Sequence, residues 1–83
     1  MKHATPQTID GIAAVLDVVR ARPELTERKH GTFYLKSRAF LHFHEDPTGL
    51  FADVKGANGW ERIQVDAPGG HKALLARVAE LLD

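Results

Sequence analysis

Between positions 32 and 65 the chain alternates apolar with polar or aromatic residues in four short runs, and this period of two constrains the fold more than any other feature. Successive residues of a strand point to opposite faces, so the runs 32–36, 39–44, 50–55 and 60–65 read as four strands. One face then collects Phe33, Leu35, Ala39, Leu41, Phe43, Leu50, Ala52, Val54, Ile63 and Val65, all of them apolar. The other collects Thr32, Tyr34, Lys36, Phe40, His42, His44, Phe51, Asp53, Lys55, Trp60, Arg62 and Gln64. The links are Ser37-Arg38, Asp46-Pro47-Thr48-Gly49 and Gly56-Ala57-Asn58-Gly59, rich in turn-forming residues. Links this short join antiparallel neighbours, which predicts a meander.

The runs are flanked by helical periodicity. Thr5-Pro6 reads as an N-cap followed by the first helical position, with Thr8 as a second capping choice. Ile9, Ile12, Ala13, Leu16 and Val19 recur at helical spacing, widened by Val15 and Val18, and Pro23 stops the helix near positions 20–22. Residues 24–31 read as a polar connector closed by Gly31. After Asp66-Ala67-Pro68-Gly69-Gly70, a second stripe of Leu74, Leu75, Val78, Leu81 and Leu82 predicts a closing helix. The pattern predicts one α+β domain over residues 1–83. It is a two-layer sandwich in which a four-stranded antiparallel sheet carries its N- and C-terminal helices on one face, in the order α-β-β-β-β-α.

Composition narrows the function classes. The 83 residues contain no cysteine, which excludes disulfides, thiolate metal sites and a cysteine nucleophile. A small chain without bridges fits a reducing compartment, and no apolar run approaches the length of a membrane span. The expectation is a cytoplasmic protein with neither secretory signal nor membrane segment. Eleven cations balance eleven acids, which argues against a dedicated nucleic-acid binder. The charge is uneven, however. Positions 20–38 hold six cations against two acids, a balance of +4 that would steer an anionic partner.

The second strand carries the sharpest chemical motif, His42-Phe43-His44. Two histidines at i and i+2 on a strand share a face and can hold two corners of a zinc or nickel site. Asp53, on the neighbouring strand and the same face, is the candidate third ligand. The same groups admit an acid–base reading, with Asp53 orienting an imidazole. That chemistry needs a nucleophile and a cleft, and the single serine, Ser37, lies in a predicted turn. No catalytic residue and no cofactor are assigned, and the reading leans away from an enzyme. Pro68-Gly69-Gly70-His71-Lys72 opens a helix and reads as a plain helix entry, with a phosphate cradle as the alternative.

Four of the six aromatics, Tyr34, Phe40, Phe51 and Trp60, share the polar face with His42, His44, Asp53 and Arg62. A face left in water gains nothing from so many rings, so a partner is expected to cover it. Aromatics ringed by charge are interface chemistry. These eight residues form the candidate binding face of a non-enzymatic interaction module, with a homo-oligomer, a dimer in the simplest case, or a protein partner as its occupant. A nucleic acid or other anion is the alternative, held by Lys36, Arg38, Lys55 and Arg62 beside Tyr34, Phe40 and Trp60. A metal-dependent role through His42, His44 and Asp53 is the third reading.

Two family likenesses accompany these readings. The segments Pro23-Glu24-Leu25-Thr26-Glu27-Arg28, His30-Gly31-Thr32, Phe33-Tyr34-Leu35-Lys36, Arg38-Ala39-Phe40 and His44-Glu45-Asp46 resemble the bacterial MmcQ/YjbR-like proteins over residues 22–55. That resemblance implies a shape comparable to a double-wing DNA-binding fold. Here Ser37-Arg38-Ala39 stands where that family carries Gly-Lys. His42-Phe43-His44, Asp46, Leu50 and Asp53 are similar to a stretch of a luciferase-domain-like bacterial family. Neither likeness supplies a catalytic residue, and a shared fold would not by itself carry a shared function.

Overall fold

The alternating runs do pair as an antiparallel sheet. A computed structural model describes residues 5, 7, 8 and 11–83, together with the backbone of Lys2 and His3. Its elements are β1 (Lys2–His3), α1 (Ala13–Arg20), β2 (Leu25–Lys29), β3 (Thr32–Leu35), β4 (Arg38–Asp46), β5 (Gly49–Gly56), β6 (Gly59–Gln64) and α2 (Gly70–Leu82). The sheet runs β2-β3-β4-β5-β6, and β1 pairs with the far half of β4 through Lys2↔Glu45 and His3↔His44. The expected α+β class, antiparallel sheet and terminal helices are present.

The expected count of four strands is too low. The connector at 24–31 contains β2, which pairs with β3 through Leu25↔Leu35, Thr26↔Tyr34 and Glu27↔Phe33. Leu25 is its sole apolar residue, so the strand carries little hydrophobic signal. Its place comes instead from backbone pairing and from Glu27. That carboxylate accepts bonds from Arg20 Nε at 2.7 Å, Arg20 Nη2 at 3.0 Å and the Gly31 backbone N–H at 2.8 Å, tying the edge strand to α1. Arg20 therefore holds the Glu27 carboxyl below its ordinary range.

Two further details depart from the alternation. The β3–β4 turn is Lys36-Ser37, one residue earlier than expected, because Leu35 pairs with Arg38. Both turn residues have positive φ, at 52° and 70°. That is the backbone of a two-residue hairpin turn whose twist matches the strands. The register of β3 against β4 then slips by one, since Phe33 faces Leu41 while Tyr34 faces Ala39. Phe40 is the extra residue of this bulge. Its side chain joins Leu41 in the core, 3% exposed, so Phe40 belongs to the buried side and not to the polar face. Ala39 takes the place opposite Tyr34. Beyond the bulge the alternation holds, with Leu41 and Phe43 buried and His42 and His44 half-buried.

The core unites Val15, Leu16 and Val19 of α1 with Leu74 and Val78 of α2 and with Phe33, Phe40, Leu41, Phe43, Leu50, Ala52, Val54 and Val65. The helices touch each other as well as the sheet. At the start of the chain, Thr8 N–H donates to Thr5 Oγ1 at 3.2 Å, the bond of an N-cap threonine. Gly11 and Ile12 form a turn before α1 begins. The expected helix start at Pro6 and the stripe position Ile9 lie outside the described residues. At the other end Gly69 has φ 76°, and a Cβ on Gly70 would lie 2.3 Å from the Gln64 carbonyl oxygen and 2.5 Å from that of Val65. The paired glycines let α2 start hard against the end of β6, which supports the plain helix entry. No helix among the described residues is long and apolar enough to cross a membrane.

Candidate functional site

The residues that alternate with the core on β4, β5 and β6 point away from it, and the register lines them up in rows. His42, Asp53 and Arg62 face one another across three strands, as do His44, Phe51 and Gln64, while Lys55 faces Trp60. Seven of the eight expected binding-face residues thus stand on one side: Tyr34, His42, His44, Phe51, Asp53, Trp60 and Arg62. Phe40 is the exception, for the reason given above.

Asp53 is the centre of the polar contacts. It is only 7% exposed, yet charged neighbours surround it. Arg62 clamps it from β6, with Nε donating to Oδ1 at 2.8 Å and Nη2 to Oδ2 at 3.0 Å. His44 Nε2 lies 3.2 Å from the same Oδ2. A two-pronged guanidinium contact of this kind is strong because both bonds are charge-assisted. It holds the Asp53 carboxyl below its usual range, against the upward push of burial, with the two histidines adding a smaller downward pull. The bond to Asp53 in turn makes Arg62 harder to deprotonate.

Rings extend from this centre. The His42 and His44 rings meet nearly edge to face, with centroids 4.5 Å apart, and Trp60 reaches back over β5 to bring its ring 4.8 Å from His42. Lys55 lies over the indole, 5.5 Å from its centroid. Even so, Trp60 keeps 47% of its surface exposed. Tyr34 stands apart on β3, where Arg28 covers its ring at 4.7 Å. Arg28 is not legible as a face residue in the sequence, because β2 has one apolar residue and carries no apolar–polar alternation.

The three candidate metal ligands converge. One donor atom each from His42, His44 and Asp53 all lie within 4.8 Å of one another. The candidate nucleic-acid platform is less intact, since Phe40 is in the core and Arg62 is engaged by Asp53. Within the basic stretch, Arg20 pairs with Glu27, and Arg22 lies 2.6 Å from Asp83 and 3.8 Å from Glu24. No protein-family model, curated protein or solved structure matches the chain.

Proposed function

We propose that this protein is a non-enzymatic interaction module whose β4–β6 face pairs with a second copy of itself. The observation that carries this reading is Trp60. It is nearly half exposed, yet its ring is in contact with both His42 and Lys55. A large ring held on a rigid sheet with its remaining surface in water has the character of an interface anchor. A second copy suits the charge pattern. The face carries both Asp53 and the cations Arg62 and Lys55, and the chain's net charge is zero, so no long-range repulsion opposes self-pairing. A two-fold contact uses the same patch twice. An ordinary interface takes about 800 Å² from each copy, under a fifth of the chain's 5075 Å².

Sedimentation equilibrium over a dilution series tests this. The parent chain should sediment as a dimer, and Trp60→Glu as a folded monomer. A parent that remains monomeric at the highest concentration removes the reading. The core-facing Phe40 is no probe of this surface, because charging it would unfold the domain.

The sequence resemblance to the MmcQ/YjbR-like proteins, which implies a DNA-binding shape, keeps nucleic acid as the competing occupant. The ion pairs at Arg20, Arg22 and Arg62 weigh against that occupant.

A further inference from the structure

We infer that His42, His44 and Asp53 form a binding site for a divalent transition-metal ion of the zinc or nickel kind. The inference needs only one chain, since β4 and β5 supply all three donors. It therefore stands or falls separately from the paired face.

The geometry is close to that of a coordination sphere. Zinc takes imidazole nitrogen and carboxylate oxygen at about 2.0–2.1 Å, which sets neighbouring ligands about 3.4 Å apart in a tetrahedron. His44 Nε2 and Asp53 Oδ2 are 3.2 Å apart. All three donors lie within 4.8 Å of one another, so closing the site asks for shifts of the order of 1 Å. The backbone beneath is firm, because β4 is flanked by β3, β5 and β1, and β5 by β4 and β6. His42 and Asp53 are direct cross-strand partners, and His44 is two residues along the same face.

Arg62 fits this site as the outer partner of Asp53. Its Nε bond to Oδ1 fixes the carboxylate while Oδ2, already beside His44, is the oxygen that turns to the ion. Carboxylates and imidazoles that bind metal are commonly held by such outer contacts. The Arg62 side chain is half exposed, so its second prong can yield Oδ2 to the ion without disturbing the strand. Two neutral imidazoles and one carboxylate leave the ion with net positive charge and at least one open position. A water molecule or a small anionic donor would fill that position.

The test uses the tag-free 83-residue chain after treatment with a chelator. Zn²⁺ should raise the melting temperature and saturate at one ion per chain. Ni²⁺ should quench the sole tryptophan, because Trp60 rests on a proposed ligand. Losing an outer contact alone weakens metal binding roughly 10–100-fold, so His42→Ala and His44→Ala should each weaken it further than that. His71→Ala, on the exposed side of α2, should leave both responses unchanged. If the alanine variants do not fold, the imidazole signals of the parent in an NMR titration decide the matter. Those of His42 and His44 should shift with Zn²⁺ while those of His30 and His71 stay put. The inference is overturned by an absence of saturable Zn²⁺ binding, by quenching that survives the loss of both histidines, or by shifts confined to other histidines.

Discussion

Asp53 shows how one residue can be costly and stabilising at once. A buried carboxylate loses its water, and the loss must be made good by bonds to its charged form. Arg62 supplies two of those bonds, which is why the carboxyl sits below its ordinary range. A carboxyl depressed in the folded state adds stability above its unfolded pKa, about 3.9, and that stability is lost as pH falls through the lower folded value. Removing the guanidinium removes the largest downward influence on the carboxyl and raises the folded value. Arg62→Ala should therefore reduce stability at neutral pH by about 1–3 kcal/mol, the range for a buried group robbed of its partner. The deficit should shrink as pH falls below about 3.9 and on through the parent's lower folded value, past which Asp53 is protonated in both proteins. Denaturant melts at neutral and acid pH measure this directly. An equal deficit at both would assign the loss to packing of the arginine stem.

At the scale of elements, the strands legible in the sequence are those whose two faces differ chemically. Leu41 against His42, Phe43 against His44 and Val54 against Asp53 declare their sides, and the structure places each accordingly. The triad of His42, His44 and Asp53 was legible for the same reason, since spacing along β4 and a neighbouring strand suffice to bring the three together. What the alternation could not declare was β2, held by backbone pairing and one acid, and the bulge at Phe40, where an extra residue reverses the sides without changing the residue types. The grip of Arg62 on Asp53 was also hidden, because it depends on the register between β5 and β6. The displaced turn leaves a defect of its own. Lys36 and Ser37 both occupy positive φ, a region that disfavours side chains and suits Asn-Gly in a two-residue hairpin. Lys36→Asn combined with Ser37→Gly should raise the unfolding free energy by about 1 kcal/mol, the order of strain in such a residue. A decrease would show that the Lys36 and Ser37 side chains contribute more than the turn costs.

For the whole molecule, the decisive quantity is charge. The chain is neutral overall, and ion pairs link its layers: Arg20 of α1 to Glu27 of β2, Arg77 of α2 to Glu61 of β6, and Arg22 to the final residue Asp83. Exposed pairs such as these contribute about 0–1 kcal/mol each, so their consequence is less in stability than in what remains to attract a partner. Glu61 is held below its usual range by Arg77 in the same way that Glu27 is by Arg20. With these cations already matched, two occupants of the β4–β6 face would respond to salt in different ways. Pairing between copies through Trp60 and its neighbouring rings rests on desolvation, which raised salt leaves nearly intact. Binding to a nucleic acid rests on displaced counterions and weakens steeply as salt rises. The dimer dissociation constant should therefore change less than about tenfold between 50 and 500 mM salt, a range over which the screening length falls from roughly 14 Å to 4 Å. Fluorescence anisotropy with labelled single-stranded DNA, run at the same salts, should show no binding tighter than the non-specific range of about 10⁻⁴–10⁻⁶ M. Sub-micromolar DNA binding that collapses with salt, beside a chain that stays monomeric, would assign the face to nucleic acid and not to a second copy.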